Sequence, residues 1–286
     1  MYDIAMIGHI SKDIIEDPSG KQHILGGPVV YSSAAAVRSG ASVLVVTKAA
    51  PRDHEQLAIL RENGAEVKVH NSRETTSIHN RYDTPDHERR TVTLLSSASP
   101  FTLQEIPTEK ARIYHLAGLF VGEIPEALIK ELATRAPVAL DAQGVVRAAG
   151  ESALVLRDWE RKREYLPHVR YFKTDAAEAE LLTGRADRDK AADSLLEMGA
   201  AEVMITHNTE VLLATRDGER YRAPLTPRNL SGRTGRGDTC FAAYLAWHLS
   251  HGRKEALEYA AALVSIKMET PGVFRGTPED VFARMR

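Results

Sequence analysis

Short apolar runs rich in β-branched residues alternate with helical segments along most of the chain, and this alternation constrains the fold more than any other feature. Ile4-Ala5-Met6-Ile7, within Tyr2 to His9, ends at Gly8 and reads as a buried strand. Val43, Val45 and Val46 mark a second strand over Ser42 to Thr47. The pattern predicts further strands at Val67–His70, Arg112–Leu116, Pro137–Asp141, Val169–Lys173, Glu202–Thr206 and Val211–Thr215. It predicts helices at Gly27–Ser39, Asp53–Asn63 (with an Asp cap), Pro125–Thr134, Asp175–Leu182, Arg188–Met198, Gly237–His251 and Lys254 to about Met268, and a short closing helix. Strands alternating with helices imply a parallel sheet covered on both faces.

Two segments break the rhythm. Ser11 to Leu25 is polar, with a turn at Pro18-Ser19-Gly20. Thr75–Tyr82 and Arg89–Leu95 flank the turn Asp83-Thr84-Pro85-Asp86 and read as an antiparallel hairpin with a polar face. Neither excursion can build a core of its own. The expectation is one domain over residues 1–286, with excursions at about 12–25 and 72–98 pairing as a small β lid over the main sheet.

Composition excludes several function classes. The 37 basic and 39 acidic residues leave a net charge of −2, so no global field draws in nucleic acid or an anionic membrane. The single cysteine, Cys240, rules out an intrachain disulfide and fits a reducing compartment. No apolar stretch approaches the roughly 18–20 residues that span a bilayer, and no signal peptide is read at Met1-Tyr2-Asp3. A cytoplasmic protein without nucleic-acid or membrane partners is expected. The histidines show no metal-site spacing; His9, His115 and His207 read as polar strand ends. Cys240 reads as a small buried residue, and Asp158-Trp159-Glu160-Arg161-Lys162-Arg163 as a solvated helical face.

The strongest local signal is Gly232-Arg233-Thr234-Gly235-Arg236-Gly237-Asp238-Thr239-Cys240-Phe241. A glycine-rich turn opening an amphipathic helix presents unpaired N–H groups and the positive end of the helix dipole, which suits an anion such as phosphate. Asp238 at that opening is a poor phosphate ligand but a sensible acceptor for the proton of an attacking hydroxyl; the plain alternative is a helix N-cap. Asp175 and Glu178, three apart at a helix start, could hold Mg²⁺ or simply offset the dipole. Lys12 and Asp13 follow the first strand, and Gln143 and Arg147 follow the strand ending at Asp141, where open α/β sheets bind ligands. Lys173 ends another strand and could reach phosphate or remain a solvated terminus.

Thr234-Gly235-Arg236-Gly237-Asp238-Thr239-Cys240-Phe241 resembles the C-terminal signature of the ribokinase-like (PfkB) carbohydrate kinases, Asp-Thr-x-Gly-Ala-Gly-Asp-x-Phe. Gly26-Gly27-Pro28 and the small-residue helix after it resemble the family's N-terminal signature and di-glycine hinge. Asp13 matches the substrate-hydroxyl-binding Asp, and Asp175-Ala176-Ala177-Glu178 resembles the Asn-x-x-Glu motif that places Mg²⁺ and phosphate. The matches run in order from residue 4 to about 273.

The resemblance implies a three-layer α/β/α sandwich with a mostly parallel sheet and a β lid. It implies ATP-dependent phosphoryl transfer to a hydroxyl of a small sugar or polyol, with Mg²⁺ and Asp238 as base. Gly235, Arg236 and Gly237 would form the anion hole; Lys12, Asp13, Gly26, Gly27, Gln143 and Arg147 would contact substrate; Lys173, Thr206, Asn208, Gly235 and Gly237 would contact the nucleotide. Subunits of such folds sometimes pair through the lid, so a homodimer is an expectation.

The sequence departs from the family pattern in several places. Gly232 stands for the first Asp of the signature, Arg236 for its Ala, Tyr31 for the Asn of the N-terminal helix, Asp175 for the Asn of Asn-x-x-Glu, and Asn208 for a Gly. These changes speak against ribose or a fructose phosphate. Gly8-His9-Ile10-Ser11-Lys12-Asp13, Asp141-Ala142-Gln143-Gly144 and Lys173 are similar to the myo-inositol-kinase-like branch. A nucleoside kinase, which would need a wider and more apolar pocket, is the alternative within the family. A non-catalytic sugar or nucleotide sensor is the alternative outside catalysis.

Overall fold

The structure, a computed structural model, describes residues 1–18, 20–82, 90–151 and 153–286, with the backbone alone at Arg90. The strands are β1 (Tyr2–Ile7), β2 (Ser11–Asp17), β3 (Gly20–Gly26), β4 (Val43–Ala49), β5 (Glu66–Asn71), β6 (Ser77–Tyr82), β7 (Arg90–Ser96) and β8 (Ala111–Leu116). They continue with β9 (Val138–Asp141), β10 (Arg147–Ala149), β11 (Leu154–Leu156), β12 (Tyr171–Asp175), β13 (Glu202–Thr206), β14 (Glu210–Thr215) and β15 (Arg220–Pro224).

Among the described residues, nine strands form one sheet in the order β15-β14-β13-β12-β9-β8-β1-β4-β5. Every pairing from β13 to β5 is parallel; β14 and β15 add an antiparallel edge. Side chains alternate between the two faces of each strand. Ile4, Met6, Val43 and Val45 pack on one face with the helices Pro28–Arg38, Arg236–His248 and Arg253–Lys267. Ala5, Ile7, Leu44 and Val46 pack on the other with Ala127–Ala133, Ala176–Thr183 and Arg188–Glu197. Both faces are buried, which is why the strands read as continuous apolar runs. Small residues line the first layer: Ser32, Ser33 and Ala34–Ala36 on one helix and Ala242, Ala243 and Ala246 on its neighbour are all buried, which permits close helix approach.

The two polar excursions meet as expected. β2 pairs with β3 and, in parallel, with β6, giving a lid sheet in the order β3-β2-β6-β7. The expected turn Asp83 to Asp86, and Arg89, lie outside the described residues.

Three local readings are corrected. The helix expected over Asp53–Asn63 is a 3₁₀ segment, Pro51–Leu57, followed by a short α-helix, Ala58–Glu62. Asp53 is no cap: its carboxylate turns inward, accepting from Thr75 Oγ1 at 2.6 Å and from Lys12 Nζ at 3.1 Å. In the charge-rich stretch only Lys162–Tyr165 is helical. Trp159 is buried there and stacks on Tyr165 and Phe172, so apolar burial overrides the charge pattern. The edge strand β15 and the hairpin β10–β11 carry no clear alternation and were not expected. No helix of the described residues is long and apolar enough to cross a membrane.

Candidate active site

The strands β1, β8, β9, β12 and β13 all deliver their carboxyl ends to one side of the sheet, and the lid stands over that side. A cleft of about 420 Å³ lies between them. It is lined from the main domain by Leu119, Gln143, Arg147, Lys173, Asp175, Glu178 and Thr206, from the lid by Asp13, Ile78, Asn80, Tyr82 and Val92, and from the signature segment by Ser231 and residues 233–238.

The signature helix starts at Arg236, capped by Gly235 at φ 76°. A side chain there would be strained, and its Cβ would stand 2.3 Å from the Tyr31 ring. The Arg236 N–H donates to the Arg233 carbonyl at 3.2 Å and that of Thr239 to Gly235 at 2.9 Å. Among the described residues no acceptor takes the N–H groups of Gly237 and Asp238, so they remain available to an anion in the cleft.

Asp238 is half-buried on the cleft floor. Burial, reinforced by the nearby Asp141 charge, pushes its carboxyl up to about 6, while Lys173, Arg147 and Lys267 act in the opposite direction. A carboxylate with that affinity is ionised at neutral pH yet basic enough to take a hydroxyl proton.

Lys173 is not a solvated terminus. Its ammonium lies 3.1 and 3.0 Å from the two carboxylate oxygens of Asp141, with both side chains buried. It sits against the signature turn: a Cβ on Gly237 would stand 2.8 Å from its Nζ. Desolvation works against its charge, but Asp141, Glu178, Asp238 and Asp175 together outweigh that and hold the ammonium above its usual range. Behind this pair His115 is buried and kept neutral by desolvation, its pKa lowered to about 4, edge-on to Phe241 at 5.1 Å.

Asp175 and Glu178 form a reciprocal capping box: Asp175 Oδ1 accepts from the Glu178 N–H at 2.8 Å and Glu178 Oε2 from the Asp175 N–H at 2.9 Å. Capping therefore uses one oxygen of each carboxylate, and both residues still line the cleft. Burial, with the Asp175 and Asp141 charges, pushes Glu178 up to about 7 against the pull of Lys173. A carboxylate held back chiefly by burial, at the edge of a cleft, suits a divalent cation. Among the described residues no group of three or more His, Cys, Asp or Glu could hold a metal, so such an ion would complete its shell from water and substrate oxygens.

At the cleft mouth Arg236 Nη1 and Arg233 Nη2 both donate to Asn208 Oδ1, at 2.9 and 3.3 Å. No carboxylate of the described residues forms an ion pair with either guanidinium. Burial first, then the Arg233 charge, lowers the Arg236 pKa. Two like charges gathered on one amide oxygen, with no carboxylate partner among the described residues, leave positive charge that an anion could offset.

Most of the site residues expected from the sequence converge here. Gly27 lines the cleft, and Gly26 packs against Asp13, where a Cβ would stand 2.5 Å from Oδ2. Asn208 contributes through the two arginines rather than from the lining. Lys12 is the exception: its ammonium is outside the cleft, paired with Asp53 at 3.0 Å, and fastens the lid to the main domain. The alternation of side chains on β2 turns Asp13 inward and Lys12 away. Cys240 is buried, as expected, and burial pushes its thiol up to about 12. Sequence reasoning missed Asn80, Tyr82 and Val92, which reach the cleft only through lid pairing, as well as Arg233 and Lys267. Asp141 carries no sequence signal of its role, because its spacing from Lys173 gives no hint of their contact across adjacent strands.

A family profile described as pfkB family carbohydrate kinase matches residues 3–280. No curated protein matches the chain. Among solved structures, a pyrophosphate-dependent kinase in the ribokinase family, complexed with a pyrophosphate analog and myo-inositol, is 37% identical. The alignment covers 98% of this chain and 99% of that one, with a TM-score of 0.90. A variant described as the conversion of a pyrophosphate-dependent myo-inositol-1 kinase into a myo-inositol-3 kinase is 36% identical, covering 98% of each chain at a TM-score of 0.89. Arabidopsis thaliana ribokinase, complexed with ribose and ATP, is 16% identical and shares the fold over 100% of this chain and 99% of its own, at a TM-score of 0.77. The three-layer sandwich, the signature turn with its acid and the full-length match agree: the chain belongs to the pfkB family of carbohydrate kinases and is a phosphotransferase acting on a hydroxyl group.

Proposed function

We propose that this enzyme transfers a phosphoryl group from inorganic pyrophosphate to a hydroxyl of myo-inositol. The observation that carries the donor assignment is the pair Arg233 and Arg236 on Asn208, in a signature where the family ordinarily has a neutral Ala. Two guanidiniums offer forked contacts to a small, highly charged donor that has no nucleoside to anchor it. The similarity to pyrophosphate-dependent relatives supports the same reading. It replaces the ATP expected from the resemblance alone.

The acceptor assignment rests on polarity. A cyclitol has many hydroxyls and no charge, and Asp13, Asn80, Gln143 and Arg147 supply carboxylate, amide and guanidinium groups around the cleft. The acceptor oxygen attacks the terminal phosphorus while its proton passes to the Asp238 carboxylate. A new P–O bond forms, the bridging P–O bond breaks, and inorganic phosphate leaves. The N–H groups of Gly237 and Asp238 and the Lys173 ammonium face the developing charge. The lid over the cleft excludes water that would otherwise compete as acceptor. Asp175 and Glu178 would hold Mg²⁺, which supplies charge neutralisation on the donor.

Purified enzyme with Mg²⁺ and myo-inositol, given either pyrophosphate or ATP and followed by ³¹P NMR, tests both assignments. An inositol monophosphate with pyrophosphate supports the proposal. Product with ATP alone returns the donor to the nucleotide, and a panel of nucleosides and sugars that outperforms myo-inositol overturns the acceptor.

A further inference from the structure

Lys267 closes the helix Arg253–Lys267 and is 2% exposed. Its ammonium donates to the carbonyl of Gly232 at 2.5 Å and to that of Thr234, and lies 5.1 Å from the centre of the Tyr31 ring. No carboxylate of the described residues forms an ion pair with it. Burying an ammonium without a counter-ion is costly, and here two carbonyls and an aromatic face replace water. Burial accordingly lowers its pKa to about 8, and Asp238 is the charge that opposes the fall.

The two carbonyls it holds determine where the neighbouring N–H groups point. In a trans peptide the C=O of one residue and the N–H of the next are antiparallel. A Gly232 carbonyl drawn to Lys267 turns the Arg233 N–H the opposite way, and the Thr234 carbonyl does the same for the Gly235 N–H. Among the described residues neither N–H has an acceptor, and both residues line the cleft.

We propose that Lys267 is a positioning residue of the phosphoryl-transfer site: an internal cation that turns the peptide units between 232 and 235 so that the Arg233 and Gly235 N–H groups meet the donor anion. The proposal rests on the phosphoryl-transfer reading above but makes a separate claim about anion binding.

The test compares wild type with Lys267→Met, Lys267→Arg and Lys267→Ala in steady-state kinetics, sulfate binding by calorimetry and thermal unfolding. Loss of the charge is expected to lower kcat in Lys267→Met by about 100-fold and weaken sulfate binding by about tenfold, with the acceptor KM within about threefold of wild type. Lys267→Arg is expected to retain more activity than Lys267→Met. Methylammonium is expected to restore Lys267→Ala by about tenfold or more, while tetramethylammonium, too large for the vacated space, does not. A folded Lys267→Met with wild-type kcat and sulfate affinity overturns the proposal, as does rescue by methylammonium no better than by the bulky control. If Lys267→Met does not fold, the rescue of Lys267→Ala decides. If wild type makes no phosphorylated product, the kinase reading fails, and the sulfate measurements still decide the role of Lys267.

Discussion

Lys173 Nζ bridges both carboxylate oxygens of Asp141 at 3.1 and 3.0 Å, and both side chains are buried. Breaking a buried pair by removing one partner costs about 3–5 kcal/mol when the remaining charge is left uncompensated; here Glu178, Asp238 and Asp175 still face the Lys173 ammonium, which puts the cost at the lower end. Asp141→Asn is therefore expected to lower Tm by roughly 10 °C in a protein of this size. Scanning calorimetry at neutral pH checks it; an unchanged Tm would show that the pair contributes nothing to stability.

Asp238→Asn is expected to lower kcat by about 10²–10⁴-fold, the usual contribution of a general base. In the wild-type enzyme kcat/KM is expected to fall below about pH 6, because the base is protonated there. The stability sign is opposite. A carboxyl whose folded pKa is raised from 3.8 to about 6 stabilises the fold fully below its unfolded value, and that contribution is lost as pH rises through about 6. Asp238→Asn is thus expected to match or exceed the wild-type Tm at pH 7.5. A less stable, fully active variant would remove Asp238 from the mechanism.

Lys12 separates a substrate contact from a lid fastening. The Lys12–Asp53 pair is partly exposed, with Lys12 35% accessible, and such pairs contribute about 0–1 kcal/mol. Lys12→Met is expected to leave the acceptor KM within about twofold and the Tm within a few degrees of wild type. A large, selective rise in acceptor KM would restore the substrate role read from the sequence.

Gly235→Ala tests the turn itself. An L-residue held in the left-handed region costs about 1–2 kcal/mol, and here the added methyl also meets the Tyr31 ring at 2.3 Å. The variant is expected to lose sulfate and pyrophosphate affinity by about tenfold or more. Unchanged anion binding by calorimetry would place the donor elsewhere in the cleft.

By itself the sequence determined the layered architecture, since strands buried on both faces leave continuous apolar runs and helices leave capped, periodic segments. It also determined the catalytic turn, because Gly235, Gly237 and Asp238 are contiguous and their chemistry is local. Tertiary structure alone decided what lies across from these groups. Lys173 looked like a strand terminus until the parallel register of β9 and β12 set it against Asp141. Lys12 and Asp13 could not be told apart until strand pairing turned one into the cleft and the other onto Asp53. Lys267 carries no signal in the sequence, and only helix packing sets it against the Gly232 and Thr234 carbonyls of the signature loop. Such contacts join residues 32 to 41 positions apart, and local periodicity carries no information about partners that only the packed chain brings together.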